Sequence, residues 1–454
     1  MIDNIEVDAV HRTALLAMHD DTEPTLDAAL TAQAETGVMI FADADACVTV
    51  DGQAALLTAA ATGVRAFGHV HVLADVPDAR VLAGVARGRS LIETLRGEGV
   101  EVLADTTLVE DRRRPILLIG ATAAPEHGAG QIVLRASWFG WTATVTPAAD
   151  AASGSDTTCP LAAVTAGALG ISEIFGAMRA RPGEDSGYRT ATVNLWHPGS
   201  DEDAGPALAH APLGWWLVGL GHLGQAHAWV LSWLPYQAEQ PVEVVLQDTD
   251  RTILANHSTG VLTPRGSTGT PKTRLVAAAL EHAGFTTRIV ERRLGADLHV
   301  ADTEPHVALL GVDNLPTRRL TSTAGWRFAV DVGLGSGHAD FSSMLLRRFP
   351  GTRRSEDVIA WNTPPQAAVV PASTAFRDLA TRGDPCGVVT LAGTAVGAAF
   401  VGVIAACLAV AEACRELHGG PGHDVLTLDL AAMDTTTAPA DIPADVVSTS
   451  LLHR

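Results

Sequence analysis

The chain has 454 residues, 47% of them hydrophobic and only 18% charged, with a formal net charge of −20. That length holds two or three ordinary domains, and the apolar share builds buried cores, which excludes a disordered chain. The acidity and the absence of a Lys/Arg-rich block argue against a nucleic-acid partner.

In chain order, Val38–Phe41 is a short β-prone run ended by Asp43 and Asp45, and Gln53–Thr62 reads as an Ala-rich helix. Ala66–Leu73 reads as a buried strand, and Arg80–Arg96 has apolar residues at helical spacing. Val100–Leu103 and Ile116–Ile119 are further strands, and this alternation predicts a parallel sheet with helices on its faces. From Gln131 to Val145, alternation and the aromatics Trp138, Phe139 and Trp141 predict an antiparallel extension, followed by an Ala/Gly-rich helix over Pro160–Met178. Pro198–Pro212 reads as a linker.

The alternation restarts at Trp215. Gly219-Leu-Gly221-His-Leu-Gly224 follows the apolar run Trp215–Val218, and the next strand, Val242–Leu246, leads to Asp248-Thr-Asp250. Gly219 permits a tight turn, Gly221 lets backbone approach a ligand, and Gly224 lets helix and strand pack closely. Free N–H groups at the helix start then face an anion, and Asp248 can accept from ribose hydroxyls. These residues alone fit a dinucleotide enzyme. Downstream stand Asn256, Lys272 opening the helix Thr273–His282, and Asp313-Asn314 after the strand Val307–Gly311. Hydride transfer needs neither a lysine beside phosphates nor a metal-holding carboxylate, whereas attack on a triphosphate needs its charge neutralised.

With those residues in view, the second half resembles the ATP-dependent adenylating domain of the ubiquitin-activating enzyme superfamily, of ThiF/MoeB type. The carriers are Gly219, Gly221, Gly224, Asp248, Asp250, Asn256, Lys272 and Asp313-Asn314, with eight residues from Asp248 to Asn256 and sixteen more to Lys272. The resemblance implies that Asp248 binds ribose, that Asn256 and Lys272 hold phosphates, and that Asp313 holds Mg²⁺. The implied reaction is attack of a C-terminal carboxylate on the α-phosphate of ATP, giving an acyl-adenylate and pyrophosphate. Its substrate would be a small ubiquitin-like (β-grasp) protein, a sulfur carrier or a peptide with a Gly-type C-terminus. Thr259 stands where the family has an arginine; Arg251, Arg265 or Arg274 could supply that charge, and Arg12 is the candidate for the arginine usually donated by a partner subunit's N-terminal helix.

The implied fold class is α/β with two Rossmann-like units of mixed sheets: a degenerate, inactive domain over 1–205 and a ThiF-like adenylation domain over 206–420, with a strand and tail over 421–454. The first half lacks a glycine fingerprint and a phosphate lysine, so a single-chain pseudo-dimer or a homodimer is expected. Both halves close on a Cys-led Ala/Gly-rich helix (Cys159 onward and Cys386 onward) ending near a Glu and a basic residue, which suggests duplication, although two Ala-rich helices can also agree by chance. A NAD(P)-dependent oxidoreductase and a catalytically inactive scaffold of the same fold remain the alternatives.

Five widely spaced cysteines with no C-x-x-C pair predict reduced thiols and no structural zinc. Cys386, before a long apolar helix, is the candidate thioester nucleophile, against a plain buried residue beside a turn. The uncharged stretch Gly387–Ala411 is long enough for a membrane span but reads as a buried helix. Asp3, Glu6 and Asp8 stand where a signal peptide needs positive charge, so a cytoplasmic protein without membrane contact is expected. His69 and His71 share a strand face without a third ligand, and His222 could touch phosphate or fill the loop. The Gly-rich stretch Asp331–His338 is either a tight connection or a groove for a Gly-ended tail, and Arg347, Arg348, Arg353 and Arg354 could bind an acidic partner but read by default as solvated loop charges.

Overall fold

The computed structural model describes residues 7–104, 113–149, 158–200, 204–236, 241–335, 337–362, 371–382 and 385–442. Asp3, Glu6, residues 201–203 of the expected linker, Ser336 and the tail from 443 lie outside them, as does the side chain of Cys386.

The first half builds a seven-stranded sheet in the order β3-β2-β1-β4-β5-β6-β7. Its strands are β1 Gly37–Ala42, β2 His69–Ala74, β3 Glu101–Leu103, β4 Ile116–Ile119, β5 Val133–Phe139, β6 Thr142–Pro147 and β7 Ala191–Asn194. β1 to β5 run parallel, and β6 and β7 are antiparallel additions. β1 (GVMIFA) is buried at every position, as a central parallel strand covered on both faces must be. The connecting helices are α3 Ala44–Val48, α4 Val50–Ala66, α5 Leu91–Glu98 and α6 Pro160–Arg179. Ahead of β1, α1 Ala14–His19 and α2 Leu26–Glu35 form an N-terminal arm.

The second half repeats this order with one more strand: β10-β9-β8-β11-β12-β13-β14-β15. The strands are β8 Gly214–Val218, β9 Glu243–Gln247, β10 Thr286–Val290, β11 Val307–Leu310, β12 Phe328–Leu334, β13 Ser343–Phe349, β14 His423–Asp429 and β15 Asp434–Pro439. β8 to β12 are parallel and β13 to β15 antiparallel, so each strand from β8 to β14 has a counterpart seven strands earlier. The helices are α7 His222–Leu231, α8 Asn256–Thr259, α9 Lys272–His282, α10 Leu315–Arg318, α11 Thr374–Arg382, α12 Pro385–Ala392 and α13 Ala399–Leu417. α4 corresponds to α7, and α6 to α13. Both halves are thus α/β units with mixed sheets.

These four helices form the molecular centre. α4 and α6 lie on the first sheet, α7 and α13 on the second, and the two pairs pack against one another. One continuous apolar core includes residues of both sheets and all four helices. A helix with a sheet on one side and helices on the other is apolar all round, which is why α6 and α13 read as membrane-length segments. By length and composition α6 could cross a membrane, yet 78% of its apolar window is buried in the protein. Small residues allow the close approach: a Cβ on Gly167 of α6 would lie 2.3 Å from the Ala55 carbonyl oxygen of α4.

Two buried clasps tie the halves. Glu173 lies 13 residues beyond Pro160, the first of α6, and Glu412 lies 13 beyond Ala399, the first of α13. Glu173 accepts from the Gly187 backbone N–H (2.9 Å) and pairs with Arg189 (2.8 Å), which donates to the carbonyls of Leu430 and Ala431, just past β14. Glu412 accepts from the His423 N–H (2.6 Å) and pairs with Arg415, which donates to the carbonyl of Leu195, just past β7. Each arginine therefore reaches into the opposite half at the same place. The repeated strand order and the matched glutamates favour duplication over a chance likeness of two Ala-rich helices.

Several sequence expectations are corrected. Of the expected helix 80–96 only the part from Leu91 onward is helical, within α5 Leu91–Glu98. Gly84 and Gly88 take φ of +80° and +83°, and the Gly84 N–H bonds the Ser232 carbonyl instead, so the segment becomes a loop. The uncharged stretch 387–411 is two helices, α12 and α13, broken between Ala392 and Ala399. Cys159 caps α6, whose counterpart α13 is capped by Ala398, so Cys159 does not correspond to Cys386 of α12. Arg348 is not a solvated loop charge: it lies on β13 with its guanidinium over Phe328 and 3.6 Å from Glu416. The strands β7, β10, β13 and β15 carry too little apolar alternation to have been expected.

Replacing Gly167 by Ala should cost about 1–3 kcal/mol, because backbone must move to admit the methyl group. Gly97→Ala, on exposed α5 with open space around it, should instead gain about 0.5–1 kcal/mol. Thermal or urea unfolding of both variants checks the pair, and equal effects would contradict the packing described.

Candidate active site

Gly219, Asp248, Asp250, Lys272 and Asp313 lie where the parallel strands of the second sheet end. Gly219, at φ +80°, turns the chain out of β8, and a Cβ there would meet Val312 (2.8 Å) and Gly311 of the segment after β11. A Cβ on Gly224 would lie 1.9 Å from the Gly219 carbonyl oxygen, so only glycine lets α7 start this close to the strand. Gly221 faces open space, and α7 begins with no side-chain cap. Its first N–H groups are thus available to an anion.

Asp248 closes this turn: its carboxylate accepts from the Leu220 N–H (2.5 Å) and from the Asp250 N–H (2.7 Å). Asp250 in turn pairs with Lys272 Nζ at 3.1 Å, and its carbonyl accepts from the Lys272 N–H at 2.9 Å. A two-residue bridge between Arg251 and Pro271 pinches the intervening loop at its base. Within that loop, the Asn256 carboxamide oxygen accepts from the Ile253 N–H (2.9 Å) at the start of α8. Asp313 follows Val312, which touches Gly219; it is exposed and makes no side-chain hydrogen bond or ion pair among the described residues. Asn314 caps α10 through the Thr317 N–H (3.2 Å).

Of the arginines that could replace the missing one, Arg251 donates to the Gly269 carbonyl (2.7 Å) and Arg274 pairs with Glu291 (3.2 Å). Arg12 is placed otherwise. The N-terminal arm runs along α8, with the Ala255 N–H bonded to the Asp8 carbonyl (2.7 Å) and the Arg12 N–H to Ser258 Oγ (3.2 Å). The Arg12 side chain is buried there with Nη1 unbonded. His222 turns away from the crevice into a notch at Gly397 and Gly402 of the α13 entrance. Burial lowers its pKa to about 4, so it is neutral and supplies no cation for phosphate.

The registers align the two halves residue by residue. Val218 pairs with Leu310 and Gln247, as Ala42 pairs with Ile119 and Ala74. Asp43 therefore stands at the Gly219 position, Asp75 at Asp248, and Thr122 at Asp313. The bridge Arg80–Ser90 matches Arg251–Pro271, putting Leu91 at the Lys272 position. The pinched loop is also ten residues shorter and lacks α8. In this half the helix start is already satisfied, because Asp43 accepts from the Ala46 N–H (2.9 Å). Thr122 Oγ1 accepts from the Asp43 N–H (2.9 Å), closing the crevice.

Family models described as the BilD N-terminal domain and the BilD C-terminal domain match residues 37–195 and 211–420. A protein described as bacterial E1-like protein BilD, from Collimonas sp. (strain OK412), is 35% identical over 93% of this chain and 92% of its own. The chain belongs to the BilD family. It is accordingly an E1-like protein, within the superfamily to which the sequence motifs point. Crystal structures of E. coli MccB align at 13% identity over 53% of this chain; one, with a TM-score of 0.34, is spanned over 65% of its length, and another, with ATP, has a TM-score of 0.32 and is spanned over 67%.

In this BilD-family chain Cys386 lies in the first turn of α12. Burial pushes Cys407 and Cys414 up to about 12 and raises Cys159 well above the usual thiol range, as expected of core residues. His71 binds Glu101 (3.1 Å) and Arg114 (3.0 Å), a polar cluster rather than a ligand set. His338, in the connection after β12, stacks on His19 of the N-terminal arm.

The structure adds Asp331 and Arg318 to the site. Arg318 donates to the carbonyls of Val312 (2.8 Å) and Val332 (3.1 Å), fixing the segment before Asp313, and its Nη1 lies 3.2 Å from Asp331 Oδ2. The signal available in sequence was a lone carboxylate inside the apolar strand FAVDV. In the other half Ala136 occupies the Asp331 position and Val145 that of its cross-strand neighbour Arg347. Asp331 is fully buried and neither oxygen completes a hydrogen bond; burial raises its pKa from 3.8 to about 6 against the pull of Arg318 and Arg347. The protonated acid therefore favours folding below its unfolded pKa of 3.8, and that contribution disappears as pH rises through about 6. Relative to Asp331→Asn, the native chain should lose on the order of 3 kcal/mol of stability across this interval. Urea unfolding from pH 4 to 7 reads the difference, and parallel curves would mean that Asp331 stays ionised throughout.

Proposed function

We propose that the chain is an ATP- and Mg²⁺-dependent adenylating enzyme that activates the C-terminal carboxylate of a small ubiquitin-like protein or peptide. The observation that carries this reading is the meeting of the glycine turn, Asp248, the Lys272–Asp250 pair and Asp313 at one sheet edge, while the twin half has Asp43, Leu91 and Thr122 at three of those positions. Within the E1-like BilD family this supports an inactive half, residues 1–205, fused to an adenylating half, residues 206–420, with residues 421–454 as an appended strand and tail. The chain then works as its own pseudo-dimer, in the cytoplasm.

In this reading Asp248 receives the ribose hydroxyls, and the open N–H groups of α7 and Lys272 take the phosphates with Asn256. Arg12 supplies the cation missing at Thr259; its unbonded Nη1 beside α8 favours it over Arg251 and Arg274. Asp313 is an unengaged hard oxygen donor, and Mg²⁺ needs only one or two protein carboxylates, with water and phosphate oxygens completing its shell. The absence among the described residues of a cluster of three metal-binding side chains is therefore compatible with it. When bound, the ion neutralises phosphate charge.

The substrate carboxylate oxygen attacks the α-phosphorus, the bond to the bridging oxygen breaks, and pyrophosphate leaves. The acyl-adenylate then carries a good leaving group. Cys386 is the assigned acceptor: its sulfur bonds the acyl carbon, AMP departs, and the thiol proton passes to solvent. The Gly-rich connection after β12 is the proposed path for a Gly-ended tail.

Exchange of labelled pyrophosphate into ATP, dependent on a Gly-terminated β-grasp protein, tests the reading. Asp313→Ala and Lys272→Ala should each lower it by about 100-fold or more. Cys386→Ala should leave exchange intact and remove only a thioester seen by gel shift. Exchange that survives Asp313→Ala removes the metal role. Saturable NADH binding without ATP binding would sink the adenylating reading in favour of an oxidoreductase, and binding of neither nucleotide would leave a scaffold.

A further inference from the structure

We propose that Arg65, in the half without nucleotide machinery, is a positioning residue for nucleotide binding by the other half. The inference rests on the nucleotide reading above and adds a residue of α4 to it. Arg65 sits in the last turn of α4 with its side chain only 1% exposed. Its Nε donates to the Gly260 carbonyl at 2.8 Å and Nη2 reaches the Thr263 carbonyl at 3.5 Å, both in the pinched loop beside α8. Nη1 donates to the Ala61 carbonyl of its own helix (2.6 Å) and pairs with Glu98 of α5 (3.0 Å).

Gly260 caps α8, and its N–H bonds the Asn256 carbonyl at 2.7 Å. The same Gly260 carbonyl accepts from the Thr263 N–H at 3.0 Å, so Arg65 grips the turn that closes directly behind α8. Arg65 consequently fixes the turn that orients Asn256. Besides the N-terminal arm, a further tether is Gln225 of α7, whose carboxamide oxygen accepts from the Leu262 N–H (3.0 Å) and Thr263 Oγ1 (2.9 Å). Gln225 links loop to glycine turn within one half; Arg65 links loop to the opposite half.

The reverse contact separates positioning from mere packing. Where α7 ends, the second half holds the corresponding loop of the first by a neutral backbone bond, Gly84 N–H to the Ser232 carbonyl at 3.0 Å, with Trp233 against Gly84. Among the described residues, the loop bearing Asn256 receives a buried guanidinium and its counterpart does not. Burying that charge is costly without a partner, which Glu98 supplies.

Calorimetric titration of the full chain with Mg·ATP tests this, alongside hydrogen exchange of residues 253–263. Arg65→Met should weaken ATP binding by about 10- to 100-fold, and Arg65→Lys by less, since an ammonium keeps the charge and a bond to one of the two carbonyls. Both should speed exchange in 253–263 without ATP. Thr58→Val is the control: it removes another bond between the same α4 and the second half, Trp229 Nε1–H to Thr58 Oγ1 (3.0 Å), away from the loop. It should lower the melting temperature with ATP affinity unchanged. Arg65→Met that binds ATP like the native chain, or Thr58→Val that weakens binding equally, overturns the proposal. A native chain that binds no Mg·ATP overturns the nucleotide reading and this inference together.

Discussion

Both halves depend on a shared helical centre whose charges are buried in pairs. Glu173 on α6 and Glu412 on α13 sit at matched positions, and their partners, Arg189 in the segment after α6 and Arg415 on α13, are each satisfied only when the other half supplies carbonyls. Such pairs add little stability over apolar residues of similar volume, because desolvating two charges offsets their attraction. Stranding one partner is another matter, at about 3–5 kcal/mol. The clasps therefore act chiefly against wrong arrangements: a half that slid or rotated would leave a buried guanidinium without acceptors. The sheets, and the crevice at their edge, inherit that fixed relation.

Duplication supplies a criterion for sorting charges. A buried charge present at equivalent places in both halves, such as the clasp glutamates, belongs to the scaffold. A charge present only beside the open crevice needs another reason. Asp331 and Arg347, replaced by Ala136 and Val145 in the twin, fall in the second class, as do Lys272 and Asp313. Asp75 is the exception that calibrates the rule: it persists opposite Asp248, although the twin's helix start is already occupied by Asp43. One retained carboxylate does not make a nucleotide site when the glycine, the lysine and the longer loop are gone.

Much of this was legible in sequence because the determinants are local. A positive-φ glycine after an apolar run, with carboxylates at the ends of neighbouring strands, encodes a crevice through chain geometry alone, and Gly219, Asp248 and Asp313 do meet there. The helix misread over residues 80–96 had correct apolar spacing, but tertiary bonds to Gly84 outweigh the periodicity. The strand β15 is exposed at five of its six positions, so burial imposes no alternation on it. Arg65 and Arg318 were invisible for a different reason: their acceptors are backbone carbonyls, in the case of Arg65 nearly two hundred residues away, and carbonyls have no sequence signature.

Joining two such units in one chain changes what each is free to become. In a symmetric dimer every residue must serve both the crevice and the support of its partner's crevice. Once the copies are fused, α7 can keep the glycine turn while the 17-residue α4 carries Arg65 in its last turn. The loop over 251–271 has gained length and α8, at the cost of backbone order, since fixing each residue costs about 1–2 kcal/mol of entropy. Much of its restraint comes from outside: the arm through Asp8 and Arg12, and α4 through Arg65. A loop ordered by another half needs that half always present, and covalent linkage makes its effective concentration independent of protein concentration. In the proposed adenylating reading, the missing glycine and lysine of the first half and the longer loop of the second are two sides of one specialisation.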